Sequence, residues 1–168
     1  MSVFWAILIY VMIYLASKFN SISYRYIIKP VLFRISPDSV HESMIKTGSK
    51  VQNIAVFNWL MRTSFKYQSE KIEIDKFGIN FQNPIGLSAG IDKDVKIYRL
   101  LEAVGFGFAE CGSVTLESYQ GNVQPWYTRL PKSKSIVVNS GLRSEGAEKV
   151  IERANKYPKS LTDIFPLN

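Results

Sequence analysis

Hydrophobic and polar positions change period along this chain, and each change predicts a different kind of element. Val3 to Ala16 (VFWAILIYVMIYLA) is uncharged and continuously apolar, and Lys18 follows it. The run is shorter than the roughly 20 residues that span a bilayer comfortably. It predicts a short or tilted membrane anchor, with a buried apolar helix as the alternative. No basic region precedes it and no small-residue cleavage motif follows, which argues against a cleaved signal peptide. Tyr24 to Phe33 is amphipathic and is broken or restarted at Lys29-Pro30. Ser36-Pro37-Asp38 has the composition of a helix start, with serine as cap, proline at the first helical position and an acid in the first turn. That helix is expected to run to about Thr47, ahead of Gly48, and a second to cover about Asn53 to Phe65. Two short amphipathic helices behind an apolar run predict a module that dips into a membrane interface.

The period then shortens. Ile72-Glu-Ile-Asp alternates, Lys76-Phe77-Gly78 supplies a turn, and Ile79-Asn-Phe81 alternates again, which predicts a β-hairpin. From Pro84 the pattern becomes strand–helix–strand. Ile85 to Ser88 reads as a strand. Asp94 to Val104 reads as a helix, with Ile97, Leu100, Leu101 and Val104 on one face and Gly105 as its stop. Phe106 to Cys111 reads as the next strand. Glu117 to Pro131 is expected to be a long loop, Ile136 to Val138 a short strand, and Ser144 the cap of a helix reaching about Lys156. Phe165 to Asn168 resembles the start of a further strand. The fold class is therefore α/β, strand–helix–strand units behind a helical, membrane-associating extension and a hairpin. The expected divisions are an anchor at 1–20, a helical extension at 21–70, and the hairpin with the first strand–helix units at 71–168, which the resemblance described below makes the N-terminal portion of a barrel.

Composition narrows the classes. A length of 168 residues with 46% hydrophobic content suits one domain with a core rather than a disordered chain. The single cysteine, Cys111, excludes an internal disulfide and any cysteine-based zinc site, and the single histidine, His41, removes His-rich metal sites; no metal is expected. Six of the seven net positive charges fall in residues 1–66, where eight Lys/Arg face only Asp38 and Glu42. Because these cations are interleaved with long aliphatic runs, an anionic membrane surface is the expected partner, rather than nucleic acid.

The chemistry concentrates in two segments, Asn83-Pro-Ile-Gly-Leu-Ser-Ala-Gly-Ile-Asp-Lys93 and Gly105-Phe-Gly-Phe-Ala-Glu-Cys-Gly-Ser-Val-Thr115. Each is a short apolar strand ending in small residues. Gly86, Ser88, Ala89 and Gly90 let backbone amides approach a flat, phosphate-bearing ligand, Lys93 places a cation at the strand's C-terminal edge, and Gly112-Ser113 repeats the small-residue strand end. These segments, followed by Gly121-Asn122, Pro125 and Arg129-Leu130-Pro131 and preceded by Ser36-Pro-Asp-Ser-Val-His41, resemble the membrane-associated, quinone-dependent (class 2) dihydroorotate dehydrogenases from about Tyr24 onward. The resemblance implies a TIM barrel holding FMN. It also implies oxidation of dihydroorotate to orotate in pyrimidine synthesis, with hydride passing to the flavin, a serine base removing the neighbouring proton, and a membrane quinone reoxidising the flavin. Residue by residue it implies FMN contacts at Ser88, Ala89, Gly90, Gly112 and Ser113, substrate contacts at Lys93 and Asn139, and quinone contacts at His41 and Arg129. It places the protein at a membrane, on the cytoplasmic face of a bacterial inner membrane or at a mitochondrial inner membrane.

The match departs from the family in Val137-Val-Asn139-Ser-Gly-Leu-Arg-Ser-Glu-Gly146. One residue is missing between Asn139 and Gly141, and Ser144 stands where an asparagine is usual, so the register of Asn139 and the substrate both stay open. A family barrel needs eight strand–helix units, and only the first two or three are present. The chain is accordingly expected to be an N-terminal fragment, with the catalytic base beyond residue 168 and no turnover of its own. The alternatives are a non-catalytic, membrane-bound remnant and a flavin barrel with another substrate.

Overall fold

The computed structural model describes Ile7, Val11 and residues 18–157. The predicted anchor Val3–Ala16, apart from those two positions, and the predicted strand at Phe165–Asn168 lie outside the described residues. The chain divides into two compact units, Met1–Val40 and His41–Asn168.

In the first unit a π-helical turn, Tyr24–Ile28, is followed by the α-turn α1, Lys29–Phe33. Pro30 has no amide hydrogen to donate, so the hydrogen-bond period changes beside it, as the restart at Lys29-Pro30 predicts. Phe19, Tyr24, Tyr26, Ile27 and Val31 are all exposed. This stretch therefore presents apolar side chains outward rather than burying one stripe. Helix α2, Pro37–Val51, starts at this unit's end. Ser36 Oγ accepts from the Ser39 amide at 3.2 Å, which makes it the N-cap that the sequence predicts.

In the second unit α2 runs through Gly48 instead of stopping before it. A Cβ at Gly48 would lie 2.9 Å from Ile97 Cγ2 and 3.1 Å from Leu100 Cδ2, so this glycine permits a close helix crossing. Helix α3 is Ala55–Phe65. Strands β1, Ile74–Lys76, and β2, Ile79–Phe81, pair antiparallel as the expected hairpin, but Ile72 ends a 3-10 turn, Glu70–Ile72, and Lys76 belongs to the strand rather than the turn. Their turn, Phe77-Gly78, carries φ of 56° and 76°, the left-handed pair that a two-residue hairpin requires.

Strand β3, Gly86–Leu87, pairs parallel with β4, Phe108–Ala109, through the crossover helix α4, Tyr98–Ala103. Gly86 faces Phe108 across the pair. A Cβ there would sit 2.1 Å from that ring, so the ring lies directly on the glycine backbone. Helix α4 begins later than the predicted Asp94. The buried Asp92 carboxylate accepts from the amides of Lys96 and Ile97, each at 2.8 Å, and Val95 takes φ of 57°. Residues 92–97 therefore wind as capped turns.

The expected loop Glu117–Pro131 is corrected at its end. Tyr127–Leu130 forms β5 and pairs antiparallel with β6, Ser135–Val138. The turn Pro131–Lys134 between them makes a second hairpin, so β6 does not extend the β3–β4 pair. Ser144 is corrected likewise. Its Oγ accepts from the Gly146 amide at 3.1 Å, and helix α5, Ala147–Ala154, begins after Gly146. No closed barrel forms among the described residues. Two small apolar clusters stand in its place. Val95, Tyr98 and Val150 join α4 to α5, and Ile97, Leu101 and Ala109, with Ile45 of α2 against them, join α4 to β4 and α2.

Candidate functional site

Parallel pairing sets the geometry. Because Leu87 faces Ala109, residues 88–90 and 110–113 leave the sheet side by side at its C-terminal edge. Ser88, Ala89 and Ser113 are exposed there, Gly90 is half-buried and Gly112 buried. A Cβ on Gly90 would meet nothing within 4 Å, so the space above this wall is open. The next turn brings Lys93 back toward the second hairpin. Its Nζ donates to Ser140 Oγ at 3.0 Å and to the Gly141 carbonyl at 3.2 Å. Burial, and then the Arg143 charge, push the Lys93 amine below the ordinary lysine range, while Asp94 opposes them.

Asn139 stands beside this contact but does not make it. Its Oδ1 accepts from Asn122 Nδ2 at 3.0 Å and its amide donates to the Trp126 carbonyl at 2.7 Å. Lys93 thus meets the neighbours of Asn139, Ser140 and Gly141. His41, on α2, donates from Nε2 to the Ile91 carbonyl at 2.9 Å, one residue after Gly90. Its ring lies 5.4 Å from that of Tyr127 on β5, and its Nδ1 is buried with no hydrogen-bond partner. Arg129 is two residues along β5 from Tyr127 and so projects to the same face of that strand. Ser88, Ala89, Gly90, Gly112 and Ser113 therefore share one edge, Lys93 touches the loop that follows Asn139, and His41 packs beside Tyr127, on the strand face that Arg129 also occupies.

Motif reading missed four contributors, of which three act together. Arg143 pairs with Glu42 at 3.1 Å and stacks 4.1 Å over the Trp126 ring. Together with Lys93 it lines a cavity of about 580 Å³, shared with His41, Asp92 and Asp94. Glu42 and Trp126 hold that guanidinium in place. Asp92 is the fourth. It is 2% exposed, and burial raises its carboxyl above the ordinary range against the opposing amide bonds. An acid just ahead of a helical pattern was the available signal for Asp92. Arg143 and Glu42 are 101 residues apart, and no local pattern links them.

These features define an α/β protein with a small-residue wall at the C-terminal edge of a parallel strand pair and, from Ile91 onward, a separate cavity lined by Lys93 and Arg143 and by none of the wall residues. Residues 71–167 match the family model described as dihydroorotate dehydrogenase. A dihydroorotate dehydrogenase (quinone) of Christiangramia forsetii is 34% identical over 130 residues, covering 77% of this chain and 38% of that protein. Its counterpart in Trichodesmium erythraeum is 32% identical over 152 residues, covering 85% and 40%. A crystal structure of the Eimeria tenella enzyme DHODH in complex with ferulenol superposes with a TM-score of 0.54 at 26% identity, over 71% of this chain and 30% of that one. The chain belongs to the dihydroorotate dehydrogenase family, as its motifs predict, and spans about two fifths of the length of those curated relatives.

Proposed function

We propose that this chain supplies the quinone-facing extension and the first two strands of a (β/α)8 barrel in a dihydroorotate:quinone oxidoreductase. The observation that carries the reading is the placement of Lys93. It stands at the C-terminal edge of the β3–β4 pair, beside exposed Ser88, Ala89 and Ser113 and in contact with the Asn139–Gly141 loop. FMN fits that edge because small residues line it and open space lies above Gly90; when bound, the flavin supplies the hydride acceptor.

The chain's own residues then have distinct tasks. Ser88, Ala89, Gly90, Gly112 and Ser113 would form one wall of the flavin site. The Lys93 ammonium would pair with the substrate carboxylate, and Asn139 would orient the pyrimidine by its amide, which both donates and accepts. Arg129 would donate toward a quinone oxygen, and His41 would line the same site. The catalytic base is assigned to none of these residues. A membrane location is supported by the exposed apolar side chains of residues 19–35 and by exposed Val56, Trp59 and Leu60 on α3. No helix among the described residues is long and apolar enough to cross a membrane, which suits interfacial binding by short helices. The divisions 1–20, 21–70 and 71–168 remain the proposed functional segments.

A second reading, a different anionic substrate, is favoured by the engagement of Asn139 with Asn122 and by the second cation, Arg143, in the Lys93 cavity. One experiment tests both. Orotate should raise the thermal midpoint of the protein, and Lys93→Ala should abolish the rise. A shift with other cyclic carboxylates but none with orotate would favour the second reading. Shifts that survive Lys93→Ala would refute both.

A further inference from the structure

A second cavity, at the end of α2, adjoins the Lys93 cavity and shares Ser49 and Lys96 with it. Its volume is about 460 Å³, within the range of small-ligand sites. Lys96, Arg99, Arg153 and Lys156 line it, with Asn53 and Tyr157 among the remaining residues, and no carboxylate among the described residues does. The basic rim is held in place from behind. Gln52, 5% exposed, donates to the Lys96 carbonyl at 2.7 Å and accepts from the Arg99 amide at 3.1 Å. Glu145 engages Lys96 at 2.7 Å and Arg153 at 2.5 Å, so these two cations are partly neutralised. Arg99 is different. Its guanidinium stacks 5.7 Å over Tyr157 and makes a 3.4 Å bond to Asn53 Oδ1, with no carboxylate on it. Lys156 has only an exposed pair with Glu152, the kind worth least. One planar donor fork and one exposed ammonium thus face a cavity with no acid among the described residues of its lining, which is the chemistry that recognises a phosphate.

The surroundings select the source of that phosphate. Asn53 lines the cavity, and directly after it Ile54, Val56 and Trp59 stand 53%, 74% and 65% exposed on the start of α3. A phosphate group joined to apolar chains would satisfy both features at once, while a soluble phosphate ester would use only the first. We infer that the cavity lined by Arg99 and Lys156 binds the phosphate headgroup of an anionic phospholipid whose acyl chains lie along the exposed face of α3. The inference rests on the membrane reading above and adds to it a defined headgroup site.

The test is co-sedimentation of the protein with phosphatidylcholine vesicles, with and without phosphatidylglycerol. The wild-type protein should bind the neutral vesicles and bind the anionic ones more tightly. A basic residue at an anionic surface contributes about fivefold in partition, so Arg99→Glu with Lys156→Glu should remove at least ~25-fold of the anionic increment. Binding to neutral vesicles should stay unchanged. Lys132→Glu with Lys134→Glu, on the β5–β6 turn, makes the same charge change outside the cavity and should cost less than about twofold. Arg99→Gln, a milder change, should alone cost about fivefold and decides the matter if the double variant does not fold. Equal losses for the two double variants would overturn the headgroup site and leave the membrane reading standing. Displacement from anionic vesicles by millimolar glycerol phosphate would also overturn it, assigning the cavity to a soluble phosphate ester. A wild-type protein that binds neither vesicle refutes both readings.

Discussion

Replacing Asp92 by asparagine should weaken the turn that carries Lys93. The carboxylate is 2% exposed and accepts two amide hydrogen bonds at 2.8 Å, from Lys96 and Ile97. A hydrogen bond to a charged group contributes about 1.5–3 kcal/mol. Asparagine keeps one acceptor and turns an NH2 group toward the other amide, losing one such bond. Removing a buried charge returns part of that loss, so the net cost should be about 2 kcal/mol at pH 7. For a unit of this size that is a fall in thermal midpoint of about 8 °C. Asp92→Ala loses both bonds and should cost more, roughly 3–5 kcal/mol. Urea denaturation gives the free energies, and amide exchange at Lys96 and Ile97 locates the damage. The pH dependence separates the opposing causes. Burial raises the Asp92 carboxyl above 3.8 against the two amide bonds. A raised folded-state value means that stability is fully present below the unfolded value and is lost as pH rises through the folded one. On acidification from pH 7 toward 4 the wild type should therefore gain on the non-titrating Asp92→Asn variant, and the deficit of the variant should widen. A deficit that narrows would show that the amide bonds outweigh burial, and would refute the argument.

Lys93→Ala should weaken orotate binding at least tenfold by calorimetry, about 1.4 kcal/mol, while lowering the unfolding free energy little, because Lys93 is outside both apolar clusters. His41→Ala should weaken binding of a short-chain ubiquinone analogue, followed by fluorescence quenching, and leave the orotate-induced thermal shift in place; equal loss of both would indicate a folding defect. Gly48→Ala should lower stability by about 1 kcal/mol, because overpacking at the helix crossing outweighs the gain of about 1 kcal/mol from better helix propensity. A stabilised variant would show that Ile97 and Leu100 yield freely. Glu102→Gln removes the carboxylate that Arg62 and Lys66 of the α3 region reach at 2.8 and 3.2 Å. It should cost about 1 kcal/mol in low salt and less in high salt by urea titration, as for a partly exposed ion pair.

What the sequence made legible was mainly what local physics decides. The β1–β2 hairpin follows from alternation around Lys76-Phe-Gly, and the parallel β3–β4 pair from two apolar strands that end in small residues. The misreadings share a cause. Gly48 has the look of a helix stop because glycine is a poor helix former, but its partners Ile97 and Leu100 are some fifty residues away and decide the matter by contact. Asp94 has the look of a helix start, yet Asp92 takes the two amides first. Tyr127–Leu130 was hidden inside a stretch punctuated by Gly121, Pro125 and Pro131, although the alternation across Tyr-Thr-Arg-Leu was there to read. In the candidate site the motif residues were visible because their types are unusual at a strand end, whereas Glu42, Trp126 and Arg143 act only through one another.

That difference bears on how the two proposed half-sites could communicate. His41 is held to the carbonyl of Ile91, which follows the proposed flavin wall at Gly90 and precedes Asp92 and Lys93. One residue later on α2, Glu42 holds Arg143, which shares its cavity with Lys93. Consecutive residues of one helix thus fasten both the segment 90–93 and the loop to which Lys93 donates. A displacement of α2 by an arriving apolar ligand would be felt first at the Ile91 carbonyl and at Arg143, ahead of any change in the apolar clusters. The physical basis is that the two tethers are single polar contacts, which break over a fraction of an ångström, whereas the packing of Ile45 against Ile97 and Leu101 is shared among many atoms. The α2 tethers are therefore polar links that join the proposed quinone face to the proposed substrate cation.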